Sequence, residues 1–361
     1  MKIDSIELKD FRNYRNLELH FDAGTNIFYG NNAQGKTNVL EAIYVGCTSK
    51  SHKAVKDREL IRFGCEEAHL KLSLTKRDVP YRIDMHIKKN RSKGIALNGV
   101  PIRRASQLFG IVNVVFFSPE DLGIIKNGPS ERRRFLDLEL CQIDKLYVHR
   151  LISYNKVVGQ RNKLLKELDE RGEFKEMLEI YDEQLIRYGT ELIRIREGFV
   201  ERLGSVLSEI HGRITEEKEK LEIIYEKNTS AETFEKDLKR VRTQELRQKI
   251  SLVGPHRDDL CFLINGIDIR HFGSQGQQRT AALSLKLSEI ELVKEASDDT
   301  PVLLLDDVLS ELDRKRQNML LNSIGGIQTM ISCTGLDDFI GNRFHMDKIF
   351  KVQSGTVTGE N

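Results

Sequence analysis

Two periodicities divide this chain. Residues 3–8, 17–21, 70–74 and 81–87 alternate apolar and polar side chains, the period of strands with one buried face. Leu97, Asn98, Gly99 and Val100 add an Asn-Gly hairpin signal, so the N-terminal third is expected to be strand-rich. In the middle of the chain the period changes. Leu178, Tyr181, Leu185, Tyr188, Leu192, Ile195, Phe199, Leu203, Val206 and Ile210 recur at alternating spacings of three and four, which predicts an amphipathic helix about 50 Å long. Such a helix needs a partner to cover its apolar stripe. Leu140, Ile143, Tyr147, Leu151, Tyr154, Val158, Arg161, Leu165 and Leu168 supply one on similar spacing, with Arg171, Gly172 and Glu173 as the turn.

Proline placement draws the boundaries. Pro80, Pro101, Pro119 and Pro129 precede the helical stretch, Pro255 and Pro301 follow it, and none lies between Pro129 and Pro255. A long helical insert avoids proline because the ring removes a backbone donor and clashes with the preceding turn. Apolar runs return at 252–253, 260–264 and 302–305, with a second Asn-Gly turn at Asn265 and Gly266. The expectation is an α/β head built from 1–118 and 251–361, interrupted by an all-α arm at 119–250.

Composition sets bounds. A chain of 361 residues with 31% charged residues and no long apolar run reads as a soluble globular protein of two or three domains, with no membrane role. The first nine residues alternate like a strand and do not form an apolar block, so no signal peptide is expected. Cys47, Cys65, Cys141, Cys261 and Cys333 are scattered, odd in number and in no C-x-x-C pair, which suits a reducing cytoplasm. A net charge of +2 does not announce a nucleic-acid protein. DNA contact would rest on local clusters, either Lys88, Lys89, Arg91 and Lys93 or Arg132, Arg133 and Arg134. Taken singly, each cluster is more simply a solvated charged face.

The chemistry sits in two distant fragments. Gly30, Asn31, Asn32, Ala33, Gln34, Gly35, Lys36 and Thr37 fit Gly-x4-Gly-Lys-Thr, after a β-rich run at 25–29 and before a helical pattern at 38–44. In that context two glycines let consecutive N–H groups converge on phosphate oxygens at a helix N-terminus. Lys36 would reach the β and γ phosphates of ATP, and the Thr37 hydroxyl would serve Mg2+. The plainer alternative is a glycine-rich turn with a solvated lysine. The second fragment, 302–306, is a buried-strand run that ends in Asp306, the place of an aspartate that holds Mg2+, with Asp307 beside it as a candidate general base. Alone, a strand ending in two acids is equally a strand followed by a helix cap.

Ser274-Gln275-Gly276-Gln277-Gln278-Arg279 resembles an ABC signature motif, and Ser310-Glu311-Leu312-Asp313 resembles the D-loop that follows the strand ending in the Mg2+-binding aspartate. With 10–14 (Asp-Phe-Arg-Asn-Tyr), the run 30–43 from Gly30 through Asn38 to Ile43, 117–122 (Phe-Ser-Pro-Glu-Asp-Leu), 128–137, 160–162, 254–258 (Gly-Pro-His-Arg-Asp) and 272–280, the whole chain resembles the RecF family of SMC-like ABC ATPases. The resemblance implies a DNA-binding weak ATPase of recombinational repair that uses ATP and Mg2+ and closes as a head-to-tail homodimer. It also implies RecO and RecR as partners in loading RecA at single-stranded gaps. Ser274, Gly276 and Gln277 would then complete the nucleotide site of a second copy, although the same residues alone read as a polar helix cap. Lys36 and Asp307 would be catalytic. The family pattern has arginine at the position of Lys53, and many ABC ATPases have a histidine where Thr334 stands; a hydroxyl in that place implies slow turnover. The competing expectations are a transporter's nucleotide-binding subunit, which the long charged arm argues against, and a structural SMC-like linker with incidental hydrolysis.

Overall fold

A computed structural model of the protein describes residues 1–54, 56–167, 175–336, 339 and 344–360. The chain divides into two compact units, Met1–Asp121 with Glu289–Asn361, and Leu122–Ser288.

The first unit holds two six-stranded sheets. One is antiparallel and comprises β1 (Lys2–Phe11), β2 (Tyr14–His20), β4 (Glu67–Lys76), β5 (Val79–Lys88), β6 (Gly94–Leu97) and β7 (Val100–Ile102), in the order β2-β1-β4-β5-β6-β7. Its alternation is real: Ile3, Ile6, Leu70, Leu72, Leu74, Ile83, Met85 and Ile87 are buried on one face, while Glu7, Lys71, Asp84 and His86 line the other. The second sheet comprises β3 (Thr25–Tyr29), β8 (Val114–Phe117), β12 (Val302–Asp306), β13 (Thr329–Cys333), β14 (Lys348–Gln353) and β15 (Thr356–Glu360), in the order β15-β14-β3-β13-β12-β8. All its pairings are parallel except β14 with β15, and β12 and β13 are buried at every position, as a parallel sheet covered on both faces requires. Helix α1 (Lys36–Thr48) follows β3 and packs against β12, β13 and β4, so one core joins both sheets. Helix α9 (Arg314–Ser323) follows β12.

The second unit contains α2 (Leu122–Lys126), α3 (Pro129–Ile143), α4 (Lys145–Glu167), α5 (Lys175–Thr215), α6 (Phe234–Gln248), α7 (Ile269–Phe272) and the first turns of α8 (Gln275–Ser297). The expected long helix is α5, with 41 residues and a length of about 60 Å. Its partner is two helices, because Asp144 ends α3 and its Oδ1 accepts the N–H groups of Leu146 at 2.7 Å and Tyr147 at 3.1 Å to start α4. Leu168 and the expected turn at Arg171, Gly172 and Glu173 lie outside the described residues.

Two details of the expected map change. The insert includes a strand, β9 (Leu221–Glu226), which pairs antiparallel with β10 (Asp259–Ile264), which in turn pairs with β11 (Ile267–Asp268) across the Asn265-Gly266 turn. Residues 251–288, expected with the head, therefore cluster with the helices. Charge pairing ties them there. Arg132 on α3 grips Asp259 through Nε at 2.6 Å and a second nitrogen at 2.8 Å, and Arg196 on α5 meets Asp258 at 3.2 Å and the Pro255 carbonyl at 2.7 Å.

Candidate functional site

Backbone shape comes first at the loop between β3 and α1. Gly30 and Gly35 have φ of 151° and 116°, where a side chain is strained. A Cβ on Gly30 would lie 2.3 Å from the Val352 carbonyl oxygen, and one on Gly35 would lie 2.4 Å from Asn13 Nδ2. Only glycine fits either place. Ala33 also adopts positive φ, and Asn31, Asn32 and Ala33 stand exposed around the turn. The first turn of α1 has no acidic residue and Gly35 gives it no side-chain cap, so the positive end of the helix dipole is not offset there by a carboxylate.

Several groups brace this loop. Asn13 Nδ2 donates to the Gln34 carbonyl at 3.1 Å, Asn38 Nδ2 donates to Asn13 Oδ1 at 2.8 Å, and the Tyr14 hydroxyl donates to the Gly35 carbonyl at 3.0 Å. On the other side, the Ser354 N–H donates to Gln34 Oε1 at 2.6 Å and the Gly355 N–H to the Gln34 carbonyl at 3.2 Å. Lys36 is buried, and its Nζ donates to the carbonyls of Gly30 at 2.6 Å and Asn31 at 2.9 Å. Burial pulls its pKa below the ordinary lysine value, against the opposing charges of Asp307 and Asp306.

Asp306 closes the site from β12. Its Oδ1 accepts the hydroxyls of Thr37 and Ser332, both at 2.7 Å, and its Oδ2 lies 3.4 Å from Lys53 Nζ. Parallel pairing of β12 with β13 sets Asp306 opposite Ser332, which explains why that hydroxyl arrives in place. Lys53 also lies 3.2 Å from Glu120 Oε1. Burial opposes the Lys53 charge, but Asp306 and Glu120 outweigh it and hold its pKa above the ordinary value. Asp307 turns the chain with φ 54°, and its N–H donates to the Ser332 carbonyl and hydroxyl at 3.2 and 3.0 Å. Burial raises the Asp307 carboxyl pKa despite the nearby Lys36 ammonium, the direction that suits a proton acceptor. Thr334 follows β13 directly and is exposed.

Ser274, Gly276 and Gln277 lie in the second unit, where α8 begins. The Gln277 N–H donates to Ser274 Oγ at 3.2 Å and the Ser274 N–H donates to Gln277 Oε1 at 2.9 Å, a reciprocal capping box. The cap expected as the plainer alternative is therefore present. Gln277 is further occupied, since its Nε2 donates to Glu219 Oε1 at 2.9 Å. A Cβ on Gly276 would find its nearest neighbour, Ser274 Oγ, at 3.9 Å, so nothing among the described residues demands glycine there.

The basic clusters fare differently from the motifs. Arg132 is only 2% exposed and is spent on Asp259 and the carbonyls of Ile124 and Asn127, so it is no DNA contact in this fold. Arg133 donates to the Asp258 carbonyl at 2.8 Å, which leaves Arg134 as the exposed member. In the other cluster Lys93 is turned onto the Ser49 carbonyl and Asp57, Lys89 pairs with Glu66 at 2.9 Å, and Lys88 and Arg91 remain at least partly exposed. Asn13, Ser332 and Glu120 were given no role by sequence reasoning. Asn13 lies in the segment 10–14, and the signal for Ser332 is the short apolar run before it, Met330 and Ile331, which pairs parallel with β12.

The family model for the RecF/RecN/SMC N terminal domain matches residues 2–356. The chain belongs to this family. It is 57% identical over 357 residues to the DNA replication and repair protein RecF of Lachnoclostridium phytofermentans, with 99% of each chain covered. The RecF of Clostridium acetobutylicum is 44% identical, again over 99% of each chain. Among solved structures, the recombination mediator protein RecF with ATP, of the RecFOR pathway, superposes with a TM-score of 0.93 at 39% identity, covering 99% of this chain and 97% of that one. The Smc head domain of Pyrococcus furiosus superposes with a TM-score of 0.59 at 18% identity, over 99% of this chain and 95% of that one, a likeness of fold. The α/β architecture is thus the ABC-type ATPase head of the RecF/RecN/SMC family with a helical insertion. No helix among the described residues is long and apolar enough to cross a membrane.

Proposed function

We propose that this member of the RecF/RecN/SMC family is an ATP-dependent DNA-binding protein of recombinational repair and replication restart. ATP binding closes two copies head to tail on DNA, and slow hydrolysis releases them. The observation that carries this reading is the meeting of Thr37 and Asp306 at 2.7 Å, which joins the glycine loop to the carboxylate strand across 269 residues of chain. The loop fits a triphosphate, because two glycines that no other residue can replace shape it and the helix N-terminus behind it lacks an acid. In this reading the backbone of Gly30, Asn31, Asn32, Ala33, Gln34, Gly35, Lys36, Thr37 and Asn38 cradles the phosphates. Lys36 exchanges the carbonyls of Gly30 and Asn31 for phosphate oxygens. Thr37 and Asp306 are the hard oxygen donors that would hold Mg2+, which when bound neutralises charge on the phosphates. Asp307 takes the proton of the attacking water, and Thr334 offers the γ phosphate a hydroxyl without a charge, which keeps turnover slow.

Completion in trans rests on α8. Glycine disfavours a helix relative to alanine, by about 1 kcal/mol in an interior and less in the first turn, and nothing among the described residues crowds Gly276. Its smallness answers to a group from outside, the nucleotide of a second copy, approached by the α8 N-terminus that Ser274 and Gln277 cap. The RecFOR context of the related structure supports RecO and RecR as partners. With them, in this reading, the protein helps load RecA at single-stranded gaps in the cytoplasm.

Sedimentation velocity with and without ATP, Mg2+ and double-stranded DNA tests the scheme on wild type, Lys36→Ala and Ser274→Arg. ATP should dimerise the wild type and retain it on DNA. Lys36→Ala should lose every nucleotide response, whereas Ser274→Arg should bind ATP and stay monomeric. A mixture of the two variants should regain part of the dimer, since one intact composite site remains. A wild type that stays monomeric with ATP at all salt concentrations would leave the structural-linker reading in place of this one.

A further inference from the structure

We propose that Glu67, His69 and His86, on the outward face of the antiparallel sheet, form a binding site for a divalent late transition-metal ion, with zinc the best fit. His69 on β4 and His86 on β5 are direct cross-strand partners. Their rings stack 4.1 Å apart at 22°. Glu67, two residues before His69, shares its face by the period of the strand. Its Oε1 lies 3.5 Å from His69 Nε2 and its Oε2 lies 2.9 Å from His86 Nε2. The three ligand atoms lie within 4.8 Å of one another. Zinc bonds of about 2.0–2.1 Å in tetrahedral geometry place ligand atoms about 3.3 Å apart, so the ion needs only small side-chain rotations to be seated.

Chemistry selects the class. Two imidazoles and one carboxylate suit zinc, copper or nickel, and exclude calcium and magnesium, which prefer sets of oxygens. Three protein donors leave open positions for water. The surroundings allow this, because His86 faces Gly94 of β6, where even an added Cβ would meet nothing within 4 Å among the described residues, and the two histidines border a depression of about 750 Å3. Of the neighbouring cations, Lys71 is taken by Glu7 at 2.6 Å, and Lys88, opposite Glu67, makes only a long ion pair with its carboxylate at 3.9 Å, which a metal would displace. Glu67 thus already holds both imidazoles through separate oxygens. A metal would replace those two contacts with three bonds to one ion. The site is independent of the nucleotide reading, since none of its residues belongs to the loop or to β12.

The full-length chain, stripped with chelator and free of nucleotide, is titrated with ZnCl2 by calorimetry and with CoCl2 by visible absorption, in parallel with His69→Ala, His86→Ala and the double variant. All three residues are partly exposed, so the variants should fold, which circular dichroism checks. The expected result is one zinc per chain, cobalt bands typical of nitrogen and oxygen ligands, and no displacement by millimolar Mg2+. Each single variant should lose more affinity than the about 10–100-fold seen when only an outer-shell partner of a metal ligand is removed. Absence of binding by the wild type, or equal binding by the double variant, overturns the assignment. Cobalt bands of thiolate type do so too, by moving the ion to a cysteine.

Discussion

Acid should destabilise each unit through one half-buried histidine. His52 lies in the first unit with its ring 4.0 Å from that of Phe116 and 5.7 Å from that of Tyr44, and His256 lies in the second with Nδ1 2.6 Å from the Tyr154 hydroxyl. Burial pushes both imidazoles down to about 4 from an ordinary 6.5. At His256 the geometry names the tautomer: Nε2–H donates to the Ser251 carbonyl at 3.2 Å, so Nδ1 accepts from Tyr154, and a second proton would have to displace that donor. Between pH 6.5 and 4 the unfolded chain binds protons that the folded chain refuses. The stabilising effect is therefore complete above about 6.5 and is lost as pH falls towards 4, at up to about 1.4 kcal/mol per pH unit for each histidine. From pH 7 to 5, before most carboxylates titrate, each unit should lose about 2 kcal/mol through this one group. Urea unfolding at pH 7, 6 and 5 measures the slope, and His256→Gln, which keeps a donor and an acceptor, should flatten it for the second unit only. Imidazole proton resonances follow the same ionisations directly and should show two histidines that do not titrate above pH 5. A midpoint near 6.5 for either ring, or equal slopes in wild type and His256→Gln, would refute the reasoning.

Three further outcomes follow from particular contacts. Arg161 is wholly buried between Asp182 at 2.8 Å, Glu245 at 2.5 Å and Ser251 at 2.8 Å, so Arg161→Met should cost about 3–5 kcal/mol in urea unfolding by stranding Glu245, whereas Arg161→Met with Glu245→Leu should recover much of that loss. If the double variant is no more stable than the single one, the stranded charge is not the cause. Gly35→Ala should abolish binding of a fluorescent ATP analogue while leaving the circular dichroism spectrum intact, because a Cβ there meets Asn13 and Tyr14 and adds about 1–3 kcal/mol of backbone strain at the loop. Retained nucleotide affinity would show that the loop tolerates another shape. Lys53 stands where a cation beside Asp306 competes with Mg2+, and as it is about a third exposed the pair is worth at most about 1 kcal/mol. Lys53→Ala should therefore lower the Mg2+ concentration that half-saturates ATP binding by up to about fivefold, and an increase would assign Lys53 to the nucleotide itself.

The legible and illegible parts of this molecule differ by the distance over which a residue's environment is set. Gly30, Gly35, Lys36 and the buried run ending at Asp306 could be read from the chain because a phosphate loop and a covered parallel strand are specified by neighbours within ten residues. The long helix was legible for the same reason, since its stripe repeats locally. Arg132 was not. Three consecutive arginines look alike in sequence, and only the β10 carboxylate 127 residues away decides that the first is an internal strut. The strand β9 escaped because six residues of apolar and charged character have no fixed period until β10 pairs with them. Ser332 and Asn13 belong with these. The former reaches Asp306 through parallel register 26 residues on, and the Gln34 that Asn13 holds is held from the other side by Ser354, 320 residues away. Motifs therefore specify which groups can touch a phosphate, while the groups that fix their aim are supplied by tertiary structure. In this site the aim is fixed from both ends of the chain at once, through Asn13 and Tyr14 near one terminus and Ser354 and Gly355 near the other. A change at either end should reach the loop without altering a single residue of the loop itself.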